Sequence, residues 1–275
     1  MPPGLDIDYK LPLNNTIARY TEQVLISTGK EDWTSRIEDE EDGILARHLR
    51  GMLGKGGKYL DPSLNAAVTN SSFQPSNPFP TRIASAYTFP SFQYIPNIPT
   101  DPDSIENFLK GFLLPEDRSQ QARGLSRSTT AQQAFPGVVP VNDVTILICG
   151  HGGRDERCGI LGPILRDEFL AQLPRHGVEI RSEPPGTSNA SSTGETLSAR
   201  VGLISHIGGH KFAGNVIIYV PPTLENNELA GMGIWYGRIE PGHVEGLVKE
   251  TVLGARVIKE KFRGGISRNN GMLSL

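Results

Sequence analysis

The chain has 275 residues, with 27 Lys and Arg against 30 Asp and Glu, a formal net charge of −3 and a pI of about 6.1. Residues 1–115 carry 10 basic and 14 acidic side chains and the rest 17 and 16, which excludes a polybasic nucleic-acid surface. At 37% hydrophobic residues the chain is not disordered, its 2 cysteines exclude a disulfide scaffold, and no apolar run approaches the ~20 residues of a membrane helix.

The length suggests two domains at ~150 residues each, and 31 Gly with 21 Pro make the chain rich in loops. The first thirteen residues resemble neither a secretory signal nor an Arg-rich transit peptide. In chain order, Gln23–Thr28 reads as a buried strand stopped by Gly29. Apolar Ile37, Ile44, Leu45, Leu49 and Leu53 predict a helix over Ser35–Leu53, with the acidic run Glu38–Asp42 at its dipole's positive end. Residues 54–81, rich in Gly, Asn, Ser and Pro, read as a surface loop. A strand over Ile83–Tyr94 is interrupted at Pro90, and Asp103–Leu114 reads as a helix capped by Asp103 or Ser104.

The polar segment after Glu116 marks a linker, placing domains at 1–115 and 141–275 with the linker at 116–140. The pattern then restarts. Asp143–Ile148 is a buried strand before a Gly-rich turn, and Ile160–Leu173 a helix with Pro163 near its first turn. Val178–Arg181 is a short strand and Pro184–Gly194 a loop. Strands at Val201–Ser205, Asn215–Val220 and Gly233–Ile239 precede a helix at Pro241–Leu253, while Val257–Phe262 fits either a strand or a helical turn. Strands alternating with helices predict an α/β architecture in both units.

Both cysteines fall in one turn, Cys149-Gly-His-Gly-Gly-Arg-Asp-Glu-Arg-Cys158, the first ending a strand and the second opening a helix. At another strand end comes His206-Ile-Gly-Gly-His210. Two thiolates and two imidazoles are a ligand set for zinc or for a Rieske-type [2Fe–2S] cluster, and C-x8-C is wider than the C-x2–4-C of zinc fingers. The plainer alternative is a pair of buried thiols beside ordinary loop histidines. A phosphatase cradle needs C-x5-R, whereas Cys149 to Arg154 is C-x4-R. A Cys149–Cys158 redox disulfide leaves the histidines unexplained. His151, inside the cysteine turn, is a further candidate ligand. Arg154 and Arg157 add either a positive field or solvated charges offset by Asp155 and Glu156.

The cysteine turn with Gly159 and Gly162-Pro163, the run Ser205-His-Ile-Gly-Gly-His-Lys-Phe-Ala-Gly-Asn-Val-Ile-Ile-Tyr219, and Gly233-Ile-Trp-Tyr-Gly-Arg-Ile-Glu-Pro-Gly-His-Val-Glu245 resemble the fungal sucrase/ferredoxin-like proteins. Within these the similarity is greatest to the altered-inheritance-of-mitochondria branch. Thr28-Gly-Lys-Glu-Asp-Trp33 and Arg36-Ile-Glu38 match the N-terminal half of the same family.

The resemblance implies two thioredoxin-like domains, the second a ferredoxin holding a [2Fe–2S] cluster on Cys149, Cys158, His206 and His210. No general base, nucleophile elbow or nucleotide loop is visible elsewhere, so the expectation is an electron carrier rather than an enzyme, with an unidentified redox partner protein and no membrane span. The resemblance implies residence in the mitochondrion, with the cytoplasm as the alternative. Neutral imidazole ligands raise the cluster's potential and couple electron to proton uptake. The competing expectation is a zinc-stabilised, redox-silent interaction protein. The cysteine-free first unit is read as a docking or structural domain.

Overall fold

The computed structural model describes residues 4–61, 64–77, 82–115, 126–187, 196–267 and 271–274. The described chain is mixed α/β, built on one large, mostly open sheet. In the first half, β1 (Glu22–Ser27) leads through α1 (Ile44–Leu53) to a parallel partner, β2 (Ala66–Ser71). The antiparallel hairpin β3 (Ile83–Phe89) and β4 (Gln93–Pro99) follows, then α2 (Pro102–Phe108), which continues as a wider helical turn to Leu113.

The second half repeats the sequence. β6 (Val144–Cys149) leads through α4 (Glu156–Arg175) to parallel β8 (Ser198–Ile204), then antiparallel β9 (Val216–Val220) and β10 (Met232–Tyr236), then α5 (Pro241–Leu247). Two edge strands, β11 (Phe262–Ser267) and β12 (Gly271–Leu273), extend that side. Between the halves, α3 (Thr129–Gln133) and β5 (Val139–Pro140) pack on the first half, β5 pairing with β4. A two-residue strand, β7 (Glu179–Ile180), pairs with β8.

Side chains alternate along the central strands as a pleated sheet requires. Val24, Ile26, Ile146, Ile148, Val216 and Ile218 face a core shared with the buried sides of α1, α2, α4 and α5. Leu25, Leu147, Ile217 and Tyr219 face a second cluster, rich in aromatic rings and capped by Ile17 and Tyr20 from the N-terminal segment.

The half-sheets join where β2 meets β8 at a single ladder pair, Ser71 with Ile204. Backbone bonds flank that pair, Ser72 N–H donating to the Leu203 carbonyl and Ser205 N–H to the Asn70 carbonyl at 2.9 Å each. Two hydroxyls add to them: Asn70 N–H donates to Ser205 Oγ and Leu203 N–H to Ser72 Oγ, both at 2.9 Å.

The main departure from the sequence reading is the 54–81 segment, which holds a buried strand, β2. Its Thr69, Asn70 and Ser71 read as loop because they are polar, but they are buried, and the Thr69 and Ser71 hydroxyls donate to the Val24 and Ile26 carbonyls of β1 at 3.3 and 3.0 Å. The helix begins at Ile44 rather than Ser35, because the acidic run is folded back ahead of it. Glu40 accepts from Thr34 N–H at 2.5 Å and pairs with Lys30 at 2.9 Å, and these contacts hold its carboxyl below the usual range. Asp101, not Asp103 or Ser104, caps α2 by accepting from Ser104 N–H. Helix α4 starts at Glu156, so Cys158 lies in its first turn, and Asp155 is the cap. Val257–Phe262 resolves as a short 3-10 turn, Lys259–Lys261, leading into β11. Of the polar linker, 116–125 lies outside the described residues, as does 188–194 of the Pro184–Gly194 loop.

Helix α4 lies against the cysteine turn without side chains between them. A Cβ on Gly162 would stand 2.6 Å from Gly150 Cα and 2.8 Å from the Cys149 carbonyl oxygen. Gly162→Ala is therefore expected to destabilise the protein by about 1–3 kcal/mol. Urea unfolding checks this, and an unchanged midpoint refutes the close approach.

Candidate functional site

The ends of β6 and β8 lie side by side, because the strands are parallel neighbours with Cys149 opposite Ile204. Each strand therefore delivers its following loop to the same edge. From β6 come Cys149, the turn 150–155 and Cys158 at the start of α4. From β8 come Ser205, His206 and, after a glycine turn, His210. Gly209 adopts a left-handed φ of +72°, and its bare Cα faces a guanidinium where a Cβ would come within 2.3 Å of Arg263.

Cys149 and Cys158 are free, each 1% exposed, and in hydrogen-bond contact with each other. The Cys158 thiol, followed by the His206 imidazole and the His151 backbone N–H, holds Cys149 well below the ordinary thiol range against the opposing push of burial. Cys158 is pushed up, first because it donates to Cys149 and then because it is buried. The hydrogen bond between the sulfurs thus favours the thiolate, the form that binds metal, at Cys149 over Cys158. The His206 and His210 rings stand 5.2 Å apart between centroids. Each has its Nδ1 buried with no hydrogen-bond partner among the described residues. A shielded nitrogen lone pair with nothing to accept from is costly in a folded protein unless a metal or other ligand takes it.

The four sequence-derived residues thus form a chain of neighbours, Cys158 to Cys149 to His206 to His210. Among the described residues no group of three or more His, Cys, Asp or Glu side chains is placed to hold a single metal ion. The donors come as a thiol pair and an imidazole pair.

His151 is placed differently from a ligand. Its Nδ1 accepts from His206 N–H at 2.9 Å, so its proton sits on Nε2, which donates to the Thr34 carbonyl at 2.9 Å and the Trp33 carbonyl at 3.1 Å. With both ring nitrogens engaged and 1% exposure, it braces the site instead. Trp33 packs edge-on to the His151 ring at 5.8 Å. Asp32 accepts from Gly153 N–H with both carboxylate oxygens at 3.1 Å. The loop after β1 is therefore clamped across the cysteine turn. The run Thr28–Trp33 was visible in the sequence only through family resemblance; nothing in its spacing pointed to the cysteines.

The arginines also sort themselves. Arg157 is neutralised by a two-point contact with Asp155, 2.8 Å at each, and Arg154 reaches Ser35 Oγ at 3.2 Å rather than a phosphate cradle. The cation the sequence did not reveal is Arg263, on β11 and fully buried. Its guanidinium donates to Asn215 Oδ1 at 2.7 Å, the Thr16 carbonyl at 2.8 Å, Thr16 Oγ1 at 3.0 Å and the Gly208 carbonyl at 3.2 Å. Burial brings its pKa down to about 10, while attraction to Cys149 and Cys158 opposes that loss. These four partners are neutral oxygens, and the attraction that opposes the loss comes from the cysteine pair. His243 and His176 take structural roles, His243 closing a capping box with Glu240 and His176 standing 3.5 Å from Glu245.

The sequence pattern of the family described as Sucrase/ferredoxin-like matches residues 13–264. The chain is similar to altered inheritance of mitochondria protein 32 of Meyerozyma guilliermondii, 29% identical over 280 aligned positions that cover 97% of this chain and 88% of that protein. The protein of the same name from Debaryomyces hansenii is 41% identical over 121 residues, covering 44% of this chain and 35% of that protein. Actin patches distal protein 1 of Saccharomyces cerevisiae is 34% identical over 110 residues, covering 39% of this chain and 29% of that protein. No solved structure matches the chain.

Substituting His151 tests the brace. His151→Leu leaves one buried donor and two carbonyls unpaired and is expected to cost about 2–4 kcal/mol of stability. His151→Gln, able to donate and accept, is expected to recover part of that. Equal stability of all three proteins in urea contradicts the bracing role.

Proposed function

The chain belongs to the sucrase/ferredoxin-like family, and on that premise we propose that it is an electron-transfer protein binding a [2Fe–2S] cluster through Cys149, Cys158, His206 and His210. When bound, such a cluster accepts and releases one electron, at a higher potential than an all-cysteine cluster because two ligands are neutral. The observation that carries the reading is the pair of orphaned Nδ1 atoms on His206 and His210 beside two buried, hydrogen-bonded cysteines whose contacts favour the thiolate at Cys149. A line of four donors in two pairs suits two bridged irons, each taking two, better than one zinc ion.

The chain's own residues prepare the site. His151 fixes the backbone from which His206 projects, and Arg263 holds the Gly208 carbonyl between the two histidines. Arg263 also supplies buried positive charge that favours the more negative, reduced state, a task Arg157 cannot perform while paired with Asp155. The clamp from the loop after β1 shields the cysteine turn, giving the cysteine-free first half a structural role.

In each half, the order second–first–third–fourth strand supports the two thioredoxin-like units that the resemblance implies. The compartment assigned by this reading is the mitochondrion, supported by the name of the relatives. Electrons pass to and from a partner protein or small molecule. No helix among the described residues is long and apolar enough to cross a membrane.

Anaerobically purified protein is expected to be red-brown and to contain iron and acid-labile sulfide in equal amounts. Cys149→Ser, Cys158→Ser, His206→Ala and His210→Ala are each expected to lose most of both while staying folded. Zinc in place of iron, or a full complement of iron in all four variants, overturns the proposal.

The potential gives a second check. Imidazole basicity rises on reduction, so protons favour the reduced state and the potential should fall as pH rises, by up to ~59 mV per unit for one proton per electron. His206→Cys should lower the potential and flatten the slope, and Arg263→Gln should lower it without flattening. Film voltammetry showing a flat profile in the native protein contradicts the proton coupling.

A further inference from the structure

Two adjoining cavities open onto His206. One, of about 570 Å³, lies between the N-terminal segment, the end of α1, β2 and the loop after β8; the other, of about 130 Å³, reaches inward to His151. They share His206, Glu38 and Arg50. The cysteines are sealed at 1% exposure whereas His206 is half-buried, so His206 is where this cleft meets the redox site.

The cleft is strongly cationic in a protein of net charge −3. Arg19 and Arg50 line the larger cavity, and Arg36, Arg50 and Arg154 the smaller. Among the described residues lining either, Glu38 is the only carboxylate. One of its oxygens serves both Arg36, at 3.2 Å, and Arg50, at 3.4 Å. Its second oxygen is buried with no hydrogen-bond partner. Among the described residues Arg19 and Arg154 have no carboxylate partner. The floor is apolar, formed by Leu53, Val68, Ile207 and Trp235. The volume falls within the range of small-molecule sites.

We propose that this cleft binds a small, planar organic anion: an aromatic body on the apolar floor and a phosphate or carboxylate on the arginines. The preference for an anion of this size rests on the cleft itself. That the ligand is redox-active rests on the cluster reading, because it would lie against His206. Guanidinium groups suit the anion because their planar fork binds a phosphate or carboxylate at two points.

Flavin mononucleotide and riboflavin are the probes, since they share a ring and differ in the phosphate. Their affinities are measured by flavin fluorescence on the full chain, for the native protein, for the Arg19→Gln/Arg50→Gln double variant and for Arg154→Gln, with iron and sulfide assayed on the same samples. All three arginines are exposed, and thermal unfolding confirms that the variants fold. Flavin mononucleotide is expected to bind at least tenfold more tightly than riboflavin. The double variant should lose at least tenfold of that affinity and little for riboflavin, and Arg154→Gln should show a smaller loss of the same kind. Equal affinity for the two flavins, no binding, or unchanged affinity in the double variant overturns the site, whether or not a cluster is present. The expected binding pattern in protein devoid of iron and sulfide supports the anion site and overturns the cluster reading instead.

Discussion

One imidazole joins the three segments on which the site depends. His151 takes the backbone N–H of His206 on one nitrogen and offers the proton on the other to the carbonyls of Trp33 and Thr34. The cysteine turn, the histidine loop and the loop after β1 are thereby fixed to one ring. The ring can serve all three only as the Nε2-protonated tautomer, because Nδ1 must accept. A protonated or metal-bound His151 would lose the contact to His206, so the residue that looked like a spare ligand is engaged in holding the others.

Around that ring the sheet does the coarse positioning. Parallel pairing of β6 with β8 brings two loops that are distant in sequence to one edge, and the seam between β2 and β8 lays the first half against the same edge. The glycines then set the separations. Gly162 lets α4 approach the cysteine turn, and Gly209 leaves room for the Arg263 guanidinium. Burying that guanidinium among neutral oxygens is unfavourable by itself, and attraction to Cys149 and Cys158 opposes the cost. The same logic favours an anionic centre at this position over an uncharged one.

Much of this was legible in the sequence where the signal was local. Continuous apolar runs marked β1, β6 and β9, and the two ligand pairs stood out because cysteine is scarce and each pair straddled glycines. Signals that depend on tertiary context were silent. The strand β2 reads as loop because Thr69, Asn70 and Ser71 are polar, yet they are buried, and the Thr69 and Ser71 hydroxyls donate to carbonyls of the neighbouring strand β1. Arg263 follows the second histidine by some fifty residues with nothing in its neighbourhood to distinguish it. His151 carried the right chemistry for a ligand, and only its hydrogen bonds assign it to bracing. Asp32 and Trp33 approach the cysteine turn from more than a hundred residues away.

In the proposed centre both His206 and His210 ligate iron. Pulsed electron paramagnetic resonance of the dithionite-reduced protein tests it most directly, because a ligating nitrogen couples strongly to the unpaired electron. The expected result is a reduced-cluster signal with two strong nitrogen couplings, one of them lost in His206→Cys and the other in His210→Cys. A signal without strong nitrogen coupling, or no signal from protein containing iron and sulfide, contradicts it.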